Sequence, residues 1–450
     1  MFSIRRFCLL ALSLAHVWSV TAKSSTGDSV LVVVDPKRQA QYSQFLDGLK
    51  DRGYDITFRS SKAEKPLLIE DDVPNYAHVI LLAPESKNLG GKDITPQNIV
   101  ELLNLKTNVI VTLSPAQTSL SSLASEFSLI LPPPASPLIS YFPKRDESPT
   151  LIPISVPDKS SPVLTKHIAP VWFSGIPQAL GNSPLIVPIL KAPAESFAGE
   201  LLTQGGSAES LVDAADKGGE GLWAGSSLGV VTGFQTASGG RITWLGGADM
   251  LTDELFQKSL PDGSKPGNAD LARDITAWTF QEELVLRIDQ VNHHIVNTTI
   301  SKELYTINDN IVFSADISKW NPSENKWEAC SGLKDLQLEF TMLDPFIRTA
   351  LPPVPGSPGK YSVSFRAPDR HGVFKFVIDY KRRGWSFLHS STTVAVVPPR
   401  HDGYPRFLSA AWPYYAGAIS TSIAFFLFSA LWLAGDARDS RKGQKGAKAQ

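Results

Sequence analysis

The 450-residue sequence contains only two cysteines, Cys8 and Cys330. Cys8 lies in an apolar leader, described below, so the chain after processing keeps one thiol and can form no internal disulfide. A large exported protein without disulfides must be held by its core rather than by covalent staples. Cys330, just after Trp327, reads as a small loop residue rather than a reactive thiol. Charge of one sign is also missing: 43 basic residues balance 44 acidic ones. That removes the basic surplus a nucleic-acid binder needs. Internal repeats are absent too, which excludes a solenoid.

Two long apolar runs are present, one at each end. Arg5 and Arg6 precede the run Phe7 to Val20, and Val20-Thr21-Ala22 offers small residues to a signal peptidase. Residues 1–22 therefore read as a cleaved secretory signal. Near the other end, "YYAGAISTSIAFFLFSALWLA" (414–434) runs 21 residues without a charge. About 20 apolar residues cross the hydrocarbon core, so this is a transmembrane helix. Trp412, Tyr414, Tyr415 and Trp432 stand at belt positions, and the basic tail 435–450 predicts a cytosolic end. Signal and stop-transfer together predict a single-pass type I protein.

Between the ends, 23–130 alternates strands with helices. "SVLVVVD", "AHVILLA" and "TNVIVTL" are apolar runs, and "TPQNIVELLNLK" has Thr95 as a cap and Pro96 in its first turn. That order predicts an α/β domain with a parallel sheet. Residues 131–287 are expected to be a Pro/Gly-rich middle region with short strands, closed by a helix over "NADLARDITAWTFQEELVLR" (268–287). From 288 to 398 the period becomes two, as in "VFKFVIDY", which predicts a β-sandwich beside the membrane.

Chemistry is hard to find. "GSSLG" (225–229) matches G-x-S-x-G around Ser227, but a strand rather than a helix follows it. Ser114 ends a buried strand, yet the next residue is Pro115, which has no N–H to offer an oxyanion. "KGGEGLWAG" lacks the flanks of a phosphate cradle, and "PESKNLGG" after "HVILLA" brings no nucleophile with its base. The adjacent His293 and His294, with Asp289, cannot chelate as an i, i+4 pair would, so a surface or interface pair is expected, with metal binding as the alternative. Asp249, Asp253 and Glu254 suit a cation or sugar, or equally the cap of the following helix. No catalytic, cofactor or metal residue is therefore assigned. Asn297, in "NTT", is the one acceptor sequon, because prolines disqualify Asn182 and Asn321. In the apolar helix Gly417, Ser420, Thr421 and Ala424 form one small-residue stripe suited to helix packing.

"ITWLGGADMLTDELF", "WTFQEELVLRIDQVNHH", "LQLEFTMLDPFIRTAL", "GKYSVSFRAPDRHGVFKFVIDYKRRGW" and "AAWPYYAGAIS" resemble the single-span β-type subunit of oligosaccharyltransferase, the wheat-germ-agglutinin-binding-protein family. The resemblance implies a non-catalytic subunit of the endoplasmic reticulum complex that moves a glycan from dolichyl diphosphate to Asn of Asn-X-Ser/Thr. It also implies an amidotransferase-like N-terminal fold without a working site. Its implied partners are a catalytic multispanning subunit, a ribophorin II-like subunit and the defender-against-cell-death subunit. Fungal members of that family often end in a di-lysine retrieval signal. Here Lys448 has Ala447 and Gly446 where a second lysine would stand, so retention through the complex is expected instead. Two other readings stay open. One is a lumenal glycan receptor stacking sugar on exposed Trp172, Trp223 or Trp320; the other is a serine hydrolase using Ser114 or Ser227.

Overall fold

A computed structural model describes residues 23–446 except 84–92, 117, 159, 165–166, 200–222, 405 and 407; side chains are not described at 119 and 435–446. Strand β1 (Ser29–Val33) is flanked in parallel by β2 (Asp55–Arg59) and β3 (His78–Leu81), and β4 (Asn108–Thr112) continues the sheet beside β3. Val30 and Val32 face one side, packing with Phe45, Leu46 and Leu49 of helix α1 (Ser43–Lys50). Leu31 and Val33 face the other, with Ile99, Leu102 and Leu103 of α2 (Pro96–Asn104) and Leu123 of α3 (Ser119–Glu126). Burial on both faces is why these strands read as unbroken apolar runs. Thr95 caps α2 as expected, its hydroxyl accepting from Asn98 N at 3.2 Å.

The sheet does not stop at residue 130. Strands β5 (Leu129–Ile130), β6 (Gln178–Leu180), β7 (Ile186–Lys191), β8 (Leu228–Gln235) and β9 (Arg241–Leu245) belong to it, in the order β2-β1-β3-β4-β9-β8-β6-β5, with β7 also on β8. Strand β9 runs parallel to β4, from Ile242 opposite Val109 to Leu245 opposite Thr112. Nine strands thus draw on both 23–130 and 131–287, and the prolines mark turns and sheet edges rather than a linker. After α4 (Asp253–Gln257), helix α5 (Asn268–Thr279) packs Leu271, Ile275 and Trp278 onto the face covered by α1. It is shorter than the 268–287 expected. Gln281 and Leu284 take positive φ (58° and 56°), which breaks the helix before β10 (Leu286–Ile295) begins.

The later part is strand-rich. One sheet joins β10 to β12 (Asn310–Asn321), which also pairs with β13 (Lys326–Ala329) and β16 (Lys360–Arg366). The other has the order β11 (Leu304–Thr306), β18 (Leu388–Val397), β17 (Gly372–Tyr380), β14 (Gln337–Thr341), β15 (Pro345–Ala350). Phe313 from the first sheet joins Phe340, Phe374 and Phe376 from the second in one core, and Phe340 stacks on Phe374 at 4.7 Å. Strand β17 alternates as expected, with Phe374, Phe376, Ile378 and Tyr380 buried and Lys375 and Asp379 exposed. Helix α6 (Trp412–Gly446) follows. The apolar stretch Ser409–Ala434, which runs from the turn before α6 into it, contains 18 consecutive residues of mean hydropathy 1.8, none of them buried; among the described residues it is the one helix long and apolar enough to cross a membrane.

Candidate functional site

Parallel α/β sheets bind ligands beyond the carboxyl ends of their strands. There the protein has a cleft of about 250 Å³, lined by Arg38, Ser114, Pro115, Ser174, Gly247 and Asp249 among others. Its floor is two backbones in contact: a Cβ on Gly247 would lie 1.9 Å from the carbonyl oxygen of Ser174. Ser114 Oγ accepts from Ala116 N at 3.3 Å, and Pro115 supplies no donor beside it. Neither histidine nor cysteine is among the described residues lining the cleft; the charged side chains there are Arg38 and Asp249. "PESKNLGG", at the end of β3, lies outside the described residues.

The acidic turn has a structural task different from the one expected. Asp253 does not cap its own helix; its carboxylate accepts from Ser43 N (3.1 Å), Ser43 Oγ (2.6 Å) and Gln44 N (2.9 Å) at the start of α1. Asp249 lines the cleft and Glu254 lies exposed in α4. Ser227 sits in an exposed turn that leads into β8, without the strand-to-helix elbow a nucleophile needs. Most of "KGGEGLWAG" is outside the described residues.

His293 is not the surface residue expected but is buried, its Nδ1 2.7 Å from Tyr305 Oη and its ring stacked on Phe376, where burial lowers its pKa. His294 turns the other way, with Nδ1 3.0 Å from Ile295 O, while Asp289 accepts from Arg287 and Ser318. Among the described residues no group of three or more His, Cys, Asp or Glu is placed to hold a metal. The three tryptophans offered as sugar platforms are buried. Trp172 Nε1 donates to Lys258 O (3.0 Å) and Trp320 Nε1 to Lys23 O (2.8 Å), so both indoles face inward.

The pattern of apolar runs did not reveal a polar core under the sheet. Asn108 is fully buried; its Nδ2 donates to His78 Nδ1 (3.2 Å) and Thr26 (3.1 Å), and its Oδ1 accepts from Arg241 N (3.1 Å) and Gln281 Nε2 (2.9 Å). His78 Nε2 donates to Gly27 O (3.1 Å), and burial drives its pKa down to about 3. Arg241, also fully buried, donates to the carbonyls of Trp278 (2.6 Å), Glu283 (3.0 Å) and Leu284 (2.9 Å), and burial lowers its pKa to about 9. It therefore stays cationic at neutral pH, satisfied by carbonyl dipoles rather than a carboxylate. Trp278 Nε1 donates to Gly384 O (2.8 Å) in the strand-rich part. This core joins the two parts of the chain; it is not open to a ligand. The signal was a polar residue opening each of two otherwise apolar strands, His78 and Asn108.

In α6, Gly417, Ser420, Thr421 and Ala424 lie exposed, and the Ser420 hydroxyl donates to Gly417 O (2.9 Å), as does that of Thr421. A Cβ on Gly417 would meet nothing within 4 Å. Asn297 lies exposed in a turn after β10 with φ 70°.

A sequence-family model described as OST48, N-terminal domain, matches residues 21–282, and one described as OST48 middle domain matches 293–436. The chain is similar to the Danio rerio dolichyl-diphosphooligosaccharide–protein glycosyltransferase 48 kDa subunit, with 31% identity over 90% of this chain and 91% of that one. It is 30% identical to the Schizosaccharomyces pombe subunit wbp1 of the same glycosyltransferase, over 94% of this chain and 95% of the relative. The Caenorhabditis elegans 48 kDa subunit is 30% identical over 92% and 93%.

Proposed function

Because the chain belongs to the OST48 family, we propose that it is a non-catalytic, assembly-bearing subunit of the oligosaccharyltransferase of the endoplasmic reticulum membrane. That complex would transfer a preassembled glycan from dolichyl diphosphate to Asn of Asn-X-Ser/Thr in nascent chains. The observation that supports the non-catalytic reading is the carboxyl-end cleft, where Ser114 is followed by Pro115, which has no N–H to offer an oxyanion, and no histidine is among the described lining residues. A lumenal receptor is less well supported because Trp172, Trp223 and Trp320 are buried.

The finer architecture follows the same reading: an amidotransferase-like first unit, a β-sandwich from β10 to β18, and a single type I span with its strand-rich part lumenal and its basic tail cytosolic. Partners are the catalytic multispanning subunit, the ribophorin II-like subunit and the defender-against-cell-death subunit. The small-residue stripe of α6 is the proposed helix contact, and retention works through assembly.

Alanine at both Ser114 and Ser227 should leave cellular N-glycosylation unchanged, while depletion of the chain should lower it and dissolve the large complex seen by native electrophoresis. Loss of turnover in the serine double variant, with the complex intact, would overturn the proposal.

A further inference from the structure

The outer face of the five-stranded sheet changes character along its length. Toward one end β17 and β18 oppose Asp379 with His389, Val377 with Ser391 and Lys375 with Thr393, so polar groups dominate there. At the other end the row is apolar. Val373 pairs with Ala395, and Ala395 with Leu304 of β11. Thr341 pairs with Lys375, and Leu343 follows two residues on, in the turn between β14 and β15. Residues level in register share a face. Leu343 is 94% exposed, Val373 58% and Leu304 54%. The inward residues of these strands, Phe374, Val394 and Val396, are already packed in the core, so this row is a second apolar surface and not a leak from the first.

The position of the row suggests what covers it. Strand β18 ends at Val397, two residues past Ala395, and the chain enters the apolar stretch at Ser409. The connection 398–408 spans at most about 40 Å even when fully extended. The apolar end of the sheet is thus the end tethered to the membrane helix. Neighbouring these residues in the chain are Glu303, Asp344 and Asp369 against Lys302 and Arg370, with His371 beside them, which is close to a charge balance. We propose that Leu343, Val373 and Leu304 dip into the headgroup boundary of a neutral phospholipid leaflet, so that the strand-rich part stands on the bilayer and does not swing on its tether. Burial there is apolar, so the contact should be insensitive to salt.

The proposal rests on the reading of α6 as a span, and the test separates the two. In the full-length chain with Cys8→Ser and Cys330→Ser, single cysteines at Leu343, Ser391 and Phe426 would carry an environment-sensitive fluorophore. The chains would be reconstituted in phosphatidylcholine vesicles containing nitroxide-labelled phosphatidylcholine. Leu343 is so exposed that its replacement leaves the fold alone. Quenching at 426 and 343, several-fold stronger than at 391 and unchanged in high salt, is the expected result. Quenching at 426 with 343 matching 391 would overturn the contact alone; absence at 426 would overturn the span and the contact with it. In the assembled complex, a label at 343 shielded from both nitroxide lipid and aqueous iodide would put protein on the row and also overturn the proposal.

Discussion

Gln281 donates through Nε2 to Oδ1 of Asn108 at 2.9 Å, although 173 residues separate them in the chain. Asn108 satisfies Thr26, His78 and the backbone of Arg241 at the same time. It therefore pins the segment at Thr26, the central strands β3, β4 and β9, and the turn after α5 to one point. Asn108→Ala leaves at least two buried groups without partners, each at about 1–3 kcal/mol. Thermal unfolding of the purified chain in detergent should fall by on the order of 10 °C. A shift of a degree or less would show that water replaces the amide.

His78 couples this core to pH. Its folded pKa is about 3, against roughly 6.5 in an unfolded chain. Between those values the unfolded state binds more protons, so stability falls as pH falls. The contribution is fully present above about pH 6.5 and is lost progressively toward pH 3. Carboxylates add their own acid dependence, so the informative quantity is a difference in slope. His78→Gln should flatten the fall of stability between pH 6 and 4, by up to about 1.4 kcal/mol per pH unit. Identical slopes would mean that the imidazole titrates freely in the folded protein.

Local pattern carried the strands of this fold and failed where contacts are distant. "VLVVV" and "VFKFVIDY" announce a doubly covered strand and a half-covered one, and both are found as such. The pairing of β9 with β4 had no such signature, because "TWLGG" and "VIVTLS" are more than a hundred residues apart and prolines intervene. Helix α5 ends earlier than its pattern predicts because Glu282 keeps the helical spacing of Ile275, Trp278 and Thr279, while the positive φ of Gln281 and Leu284 turns the backbone aside. Trp172 and Trp320 are buried rather than exposed, and nothing near them in the chain shows that Lys258 O and Lys23 O receive their N–H groups. Asp253 likewise reaches α1 across some 210 residues.

Gly233, inside β8, has its reason in Trp278. A methyl group at 233 would lie 2.5 Å from Cζ3 of that indole, which in turn donates to Gly384 O across the junction. Gly233→Ala alone should be severely destabilising, and Trp278→Phe alone should loosen the junction by about 1–3 kcal/mol. Phenylalanine lacks the outer ring atoms that clash, so the double variant should be more stable than the sum of the singles, with a coupling of about 1 kcal/mol or more. Additive losses would place the clash elsewhere.

Asn297 is exposed in a turn and followed by Thr298 and Thr299, so an acceptor site is open if it faces the lumen. One endoglycosidase-sensitive glycan is expected on the mature chain, abolished by Asn297→Gln. An unshifted band from microsomes, in a chain that has assembled, would show the turn covered before the transferase reaches it.

The apolar helix should dock as well as anchor. A helix that only anchors gains nothing from small residues, since lipid packs equally well against leucine. Here Gly417 leaves open space where a Cβ would stand, and the hydroxyls of Ser420 and Thr421 turn back onto its carbonyl. Those hydroxyls are satisfied within the helix, so the stripe presents a shallow, nearly apolar groove along which a second backbone can approach. Membrane helices associate through such packing, because the hydrophobic effect between them is absent. Leucine at both Gly417 and Thr421 would fill the groove without lowering hydropathy, so insertion should be normal. Recovery of partner subunits with the tagged chain from mild detergent should fall several-fold. Replacing the whole span by polyleucine with full recovery would show that the parts outside the membrane hold the complex by themselves.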